Sequence, residues 1–214
     1  MLRWALFAAV PLVVVAAVSL GFVLTSSSTP SSAMSSAAPA ANTAAATWPA
    51  RRLLAPGFTL RGEDGRPLSL AALRGRPVLV TFIDPLCRDF CPIEAQRLSA
   101  AVRSQPAARR PVIVAVSVNV AGNRPATLAL DRRKWNVPAQ WRWAVGDPAA
   151  LARVWQQFHV QVIVTKKRIA GVPVQQVAHT EAAYLIDAEG YQRALFIWPY
   201  SSSAVTHELA ASSS

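Results

Sequence analysis

The chain has 214 residues, of which 52% are hydrophobic and 15% are charged, and its formal net charge is +11. This length and hydrophobic content suffice for one substantial core, so no second folded domain is needed. The basic excess does not indicate nucleic-acid binding, because the Arg residues are scattered and the one tight basic cluster, Lys166 to Arg168, falls in a predicted loop. A solvated surface that also tolerates anionic lipid headgroups is favoured instead.

The first predicted element is an uncharged apolar run from Trp4 to Leu24. It is long enough to cross a bilayer as a helix, whereas a cleavable signal has an apolar core of roughly 7 to 15 residues. Arg3 precedes the run and the next basic residue is Arg51. The positive-inside rule therefore predicts a single-pass anchor in the cell membrane, with the folded part on the extracytoplasmic side. The alternative is a long signal peptide cut near Ala38-Pro39-Ala40, which also leads to export.

A segment made almost entirely of Ser, Ala, Thr and Pro follows, from Thr25 to Thr47. Such a composition cannot form a core and predicts a flexible tether, with folded sequence beginning near Trp48. The predicted organisation is an anchor or uncleaved signal at residues 1–25, a linker at residues 26–50 and one folded domain at residues 51–212.

The first half of the domain alternates strands with a helix. Phe58 to Leu60 and Pro67 to Leu70 flank a turn signal and predict a short hairpin. Pro77 to Ile83 and Pro111 to Val118 are continuous apolar runs, which are typical of parallel strands covered on both faces. Helical spacing of apolar residues predicts a helix between them, from about Asp89 to Ser104.

The second half continues this alternation and ends in an antiparallel hairpin. The predicted elements are a helix through Leu128 to Trp135, a strand at Trp141 to Val145, a helix capped by Asp147 that contains Leu151 to Phe158, a strand at Val160 to Val164, a loop from Thr165 to Ala178, a hairpin of Ala182 to Asp187 with Tyr191 to Trp198, and a short helix near Ala204 to Ala210. This order predicts an α/β thioredoxin-like fold, with a central mixed sheet flanked by helices.

The only two cysteines, Cys87 and Cys91, follow directly on the buried strand. A thiol in the first turn of a helix meets unpaired backbone N–H groups and the positive end of the helix dipole, and Arg88 adds positive charge, so the thiolate is favoured. A thiolate can attack a disulfide or bind a soft metal ion, and three intervening residues allow both roles. An inert structural disulfide is the remaining alternative. Peroxidases of the peroxiredoxin type have a Thr or Ser and a Pro at fixed positions before the reactive cysteine. This chain has neither residue at those positions.

A trigonal soft-metal site needs a third ligand, and the chain has three histidines. His159 ends a predicted helix and suits a structural role. His207 lies in the last helix, where we expect it to be exposed. His179 precedes the strand that begins near Ala182, and in a thioredoxin-like sheet its loop approaches the helix that carries the cysteines.

From about Gly57 to Trp198 the chain resembles the Sco/SenC copper-binding proteins that assist assembly of cytochrome c oxidase. The resemblance rests on Phe58-Thr59-Leu60, on the run from Leu73 to Phe82 that leads into the C-x-x-x-C-P motif at Cys87 to Pro92, and on His179-Thr180 followed by Tyr184-Leu185-Ile186-Asp187 and Gly190. One departure is Asn119, where the family often has an acidic residue. Loss of that charge is expected to alter copper affinity or partner contact.

The resemblance implies that Cys87, Cys91 and His179 bind copper as Cu(I) or Cu(II), behind an amino-terminal membrane anchor. It also implies that the copper-site subunit of cytochrome c oxidase is a partner. A metallochaperone that passes copper on by ligand exchange is the leading hypothesis. The alternative is an enzyme, a thiol-disulfide reductase in which Cys87 and Cys91 act as a redox-active pair on the cysteines of a copper acceptor.

Overall fold

The computed structural model of the protein describes residues 42–212. Its strands are β1 (Ala46–Thr47), β2 (Thr59–Gly62), β3 (Pro67–Ser69), β4 (Val78–Ile83), β5 (Val112–Ser117), β6 (Trp141–Val145), β7 (Val162–Ile169), β8 (Val172–His179), β9 (Ala182–Ile186) and β10 (Gln192–Ile197), and its helices are α1 (Phe90–Arg103), α2 (Pro125–Lys134), α3 (Pro148–Gln157) and α4 (Ser202–Ala211).

Eight of these strands form one mixed sheet in the order β1-β10-β9-β4-β5-β6-β2-β3. Strands β4, β5 and β6 are parallel, while β9 pairs antiparallel with β4 and β10 antiparallel with β9. Helices follow β4, β5 and β6 along the chain, as parallel connections require. The prediction of a mixed central sheet flanked by helices is confirmed.

Strand β4 lies at the centre of the sheet, and its two faces belong to different cores. Leu79 and Ile83 pack with apolar residues of α1, α2 and α4. Val78, Val80 and Phe82 pack with residues of α3 on the opposite face. Every residue of β4 is buried, which explains the unbroken apolar run in the sequence. The core therefore fixes the carboxyl end of β4, from which the cysteine segment continues.

The prediction of a loop from Thr165 to Ala178 is wrong. The segment instead lies in an antiparallel hairpin of β7 and β8, which form a separate two-stranded sheet. The turn consists of Ala170 and Gly171, both with positive φ, which suits a two-residue hairpin connection. Nearly all side chains of the two strands are exposed, so the strands carry no burial pattern by which the sequence could have predicted them.

The amino-terminal boundary also differs from the prediction. Residues 46 and 47 were predicted to belong to the tether, but they form β1 and pair with β10 through main-chain hydrogen bonds. Main-chain pairing of this kind cannot be predicted from residue composition. Within residues 42–212, no helix is long and apolar enough to cross a membrane. The anchor predicted at Trp4 to Leu24, and most of the tether, lie outside the described residues.

Candidate thiol and metal site

The two cysteines lie where strand β4 is followed by helix α1. Strand β4 ends at Ile83 and α1 begins at Phe90, so Cys87 lies in the connecting loop and Cys91 in the first turn. Cys87 is half-buried, whereas Cys91 is 1% exposed and belongs to the core beneath α1. Both thiols are free, and the backbone N–H of Cys91 donates to the Cys87 Sγ over 3.5 Å. The predicted thiol position at the start of a helix is confirmed.

The two thiols differ in protonation because they share a hydrogen bond. The Cys91 thiol donates to the Cys87 sulfur, and the backbone N–H groups of Cys91, Asp89 and Phe90 also donate to it, which together lower the pKa of Cys87 to about 5. The same hydrogen bond and burial raise the pKa of Cys91 above its usual range. At neutral pH, Cys87 is therefore a thiolate and Cys91 a thiol.

Arg88 is held by its own loop and by a buried carboxylate. Its Nη1 donates to the carbonyls of Pro85 and Cys87, and lies 3.4 Å from Oδ1 of Asp131 on α2. Neither oxygen of the Asp131 carboxylate, which is fully buried, has a hydrogen-bond partner. Burial raises the pKa of Asp131 to about 6, against the opposing effect of Arg88. Arg88 thus ties the cysteine loop to α2, a role that its sequence position alone did not reveal.

His179 is the last residue of β8, opposite Val162 of β7, and is half-buried. Its Nδ1 lies 3.1 Å from the carbonyl oxygen of Thr180. A carbonyl only accepts, so in this contact Nδ1 carries the proton and the neutral ring keeps the lone pair of Nε2 available for a metal ion. The imidazole borders a small cleft lined by Gln161, Ile163, Ala178 and Thr180.

The structure brings Cys87 and Cys91 together but does not join His179 to them. Among residues 42–212, no three His, Cys, Asp or Glu side chains are grouped so that they could hold a metal ion. His159 adopts a positive φ just after α3, and its backbone N–H donates to the carbonyl of Gln156, in keeping with a structural role. His207 is exposed and lies 3.2 Å from Glu208.

Asn119 lies at the carboxyl end of β5 and contacts the hairpin. Its Oδ1 accepts hydrogen bonds from the backbone N–H of Ala121 and from Nε2 of Gln175 on β8, each over 3.2 Å. Asn119 is buried, so this amide fastens the hairpin that carries His179 to the main sheet. The sequence indicated only that this position lacks an acidic residue.

A buried carboxylate lies behind the cysteines, and nothing in the sequence indicated it. Glu94, in α1, accepts hydrogen bonds at Oε1 from the hydroxyls of Thr81 and Tyr200, over 2.7 and 2.8 Å, while its Oε2 has no hydrogen-bond partner. Burial raises its pKa to about 7. A lone Glu on a helix carries no sequence signal for burial, because its partners come from β4 and from the segment after β10.

The model of the family described as SCO1/SenC matches residues 48–213 of this chain. Similar solved structures include Arabidopsis thaliana ScoI with copper bound, at a TM-score of 0.65 and 19% identity, covering 74% of this chain and 97% of that one. Bradyrhizobium japonicum ScoI with copper bound gives a TM-score of 0.63 at 22% identity, covering 74% and 99%.

The solution structure of apo Sco1 from Thermus thermophilus gives a TM-score of 0.61 at 24% identity, covering 74% of this chain and 91% of that one. Identities this low establish a shared fold and carry no residue roles. No curated protein matches the chain.

Proposed function

This chain belongs to the SCO1/SenC family, and from that premise we propose that it is a copper metallochaperone. It binds Cu(I) or Cu(II) through Cys87, Cys91 and His179 and supports assembly of the copper site of cytochrome c oxidase. Two similar proteins are described with copper bound, and another as a member of the Sco family of cytochrome c oxidase assembly proteins. The copper-site subunit of the oxidase is the proposed acceptor.

The observation that carries this proposal is the state of the thiol pair. Cys87 offers a thiolate beside the Cys91 thiol at a helix start, and soft thiolates select Cu(I). Copper displaces the proton of Cys91 on binding, because only a deprotonated sulfur ligates the ion. A Cys87–Cys91 disulfide offers no thiolate, so reduction precedes loading.

In this proposal His179 completes the ligand set when the base of the hairpin, where His179 lies opposite Val162, moves towards the thiols. The hairpin pairs with no strand of the main sheet. Nε2 of Gln175 on β8 donates to Oδ1 of Asn119 and so ties the hairpin to the body of the domain, while hydrogen bonds between Gln161 and Thr180 close its base. Such a movement breaks no pairing of the eight-stranded sheet.

The test is an anaerobic Cu(I) competition titration of the reduced full chain against a chelator of known affinity. The His179→Ala variant loses one of three proposed ligands, and we expect it to bind copper at least about tenfold more weakly. Removal of a residue that only hydrogen-bonds to a metal ligand already has an effect of about this size. His207→Ala is the matched control, because His207 is exposed and is not a ligand in the proposal. Equal affinity of the His179→Ala variant and the wild-type chain would remove His179 from the site.

A thiol-disulfide reductase is the second candidate, and the low pKa of Cys87 favours it. The Cys87 thiolate attacks a disulfide of the acceptor and forms a mixed disulfide. Cys91, after losing its proton, then attacks the Cys87 sulfur, which releases the acceptor as a dithiol and leaves a Cys87–Cys91 disulfide for an external thiol reductant to reduce. His179 has no part in these steps. Unchanged copper affinity of His179→Ala, together with loss of disulfide exchange in Cys87→Ala, would favour this function.

We also propose that Trp4 to Leu24 anchors the chain in the cell membrane, with the folded domain on the extracytoplasmic side. The apolar length of this run supports this placement, as does the presence of Arg3 before it while the next basic residue after it is Arg51.

A further inference from the structure

Glu94 is a buried carboxylate on the helix that carries Cys91. The two residues are three positions apart on α1, and each is 1% exposed. Residues with this spacing lie on the same side of a helix, with about 5–6 Å between their Cβ atoms. The charge of Glu94 adds to the hydrogen bond and the burial that raise the pKa of Cys91, so the carboxylate acts on this sulfur. Within residues 42–212, no Lys, Arg or His forms an ion pair with Glu94.

The hydrogen bonds of Glu94 do not require a charged side chain. Its Oε1 accepts from the hydroxyls of Thr81 on β4 and of Tyr200, over 2.7 and 2.8 Å. A glutamine in the same place accepts both hydrogen bonds through its amide oxygen. Oε2 of Glu94 has no hydrogen-bond partner, and a buried charged group in that state is costly. A purely structural link between α1 and β4 therefore leaves the carboxylate unexplained.

Three carboxylates surround the Cys87 thiolate, and Glu94 differs from the other two. Burial raises the pKa of Glu94, Asp131 and Glu181, and the nearby Cys87 thiolate raises each of them further. Asp131 has the Arg88 guanidinium 3.4 Å away, and Glu181 is partly exposed, so water screens its charge. Glu94 has neither a cation nor water beside it. Its charge therefore acts on the thiol pair through the low-dielectric interior.

Oxidation of the thiol pair removes a negative charge from beside Glu94. In the reduced state Cys87 is a thiolate and Cys91 a thiol. When the disulfide forms, the two sulfurs give two electrons to the disulfide of the oxidant and Cys91 loses its proton, so the oxidised pair is neutral. A negative carboxylate repels the reduced pair and leaves the disulfide unaffected. We propose that Glu94 lowers the reduction potential of the Cys87–Cys91 pair and makes the dithiol a stronger reductant.

This inference rests on the proposed functions only in that both of them use the reduced thiol pair. A stronger reductant passes electrons more readily to a disulfide of the acceptor, as the reductase function requires. After each transfer, the resulting Cys87–Cys91 disulfide is correspondingly harder to reduce. The external reductant is therefore a dithiol, which closes its own disulfide and so reduces more strongly than a single thiol.

The test is a redox titration of the copper-free full chain at pH 8, above the pKa of Glu94 of about 7. The chain is equilibrated with mixtures of reduced and oxidised dithiothreitol, in which the dithiol gives two electrons to the Cys87–Cys91 disulfide and becomes a cyclic disulfide. Glu94→Gln removes the charge and keeps an oxygen that accepts from Thr81 and Tyr200. The equilibrium constant for reduction of the variant should be at least about tenfold larger, which is a rise in potential of about 30 mV.

Two further variants complete the test. Glu94→Met removes the charge together with the acceptor, and Thr81 keeps its contact with the carbonyl of Ala182, so this variant should show the same rise even if the Gln variant fails to fold. Glu189→Gln is the matched control. It removes an exposed carboxylate from the turn between β9 and β10, at the opposite end of β9 from the cysteine loop, and should leave the potential unchanged. Hydrogen exchange of α1 amides reports whether each variant is folded.

An unchanged potential in Glu94→Gln would overturn the proposal. A rise in Glu94→Met alone would also overturn it, because the effect would then come from the hydrogen bonds and not from the charge. An equal rise in Glu189→Gln would show that net charge sets the potential wherever the carboxylate lies, which contradicts a specific role of Glu94. The titration contains no copper, so its result does not depend on whether His179 binds the metal, and the two proposals fail separately.

Discussion

At the scale of single residues, the two cysteines differ because their backbone positions differ. Cys87 lies before α1, where free N–H groups point at its sulfur, and Cys91 lies inside the helix, where its thiol faces the core. The sequence predicted a stabilised thiolate, since a motif after a buried strand places cysteines at a helix start. It could not predict which sulfur is charged, because that depends on the hydrogen bond between them and on the burial of Cys91.

The Cys91→Ala substitution is expected to raise the pKa of Cys87 from about 5, because it removes the thiol that donates to the Cys87 sulfur. A hydrogen bond to a charged group contributes about 1.5–3 kcal/mol, which corresponds to a rise of about one to two pKa units. The ultraviolet absorbance of the thiolate, followed against pH, measures this midpoint. Cys87→Ala is the control, in which Cys91 should show no thiolate at neutral pH. An unchanged midpoint in Cys91→Ala would show that the backbone N–H groups alone stabilise the thiolate.

At the scale of elements, the sequence predicted those helices and strands whose burial produces a recognisable pattern of apolar residues. The unbroken apolar runs of β4 and β5 and the cap of Asp147 on α3, whose Oδ1 accepts from the N–H of Ala150, all appear as predicted. The β7–β8 hairpin was missed because its strands are stabilised by cross-strand pairing and by a two-residue turn, with little burial. Its position is decisive for the proposed copper site, since β8 carries His179.

Gly171→Ala is expected to destabilise the hairpin without affecting the main sheet. Gly171 has a φ of +80°, in the left-handed region, where a Cβ costs about 1 kcal/mol. Amides of residues 162–179 should therefore exchange about fivefold faster, while those of α1 remain unchanged because the hairpin is a separate sheet.

The matched control is Gly65→Ala, which meets the same φ of +80° in the turn between β2 and β3 and has equally open surroundings. It should leave the hairpin amides unchanged. Faster exchange of α1 amides in Gly171→Ala, to the same extent as in the hairpin, would show that the hairpin and the main sheet unfold together.

At the scale of the whole molecule, a two-sided core holds the cysteine loop, and more distant segments supply the rest of the proposed site. The sequence predicted the α/β class because strand and helix periodicities alternate along the chain. It could not predict the Glu94 network or the Asn119–Gln175 hydrogen bond, because both depend on tertiary contacts between distant segments. The thiol half of the proposed site is local and was predictable, whereas its proposed histidine ligand depends on the position of one hairpin.

X-ray absorption at the copper edge of the reduced full chain, loaded anaerobically with Cu(I), tests the proposed ligand set most directly. The account predicts two sulfur ligands and one imidazole nitrogen at copper, with the imidazole signal lost in His179→Ala and kept in His207→Ala. Two sulfurs without imidazole in the wild-type chain, or an imidazole signal that persists in His179→Ala, would contradict it.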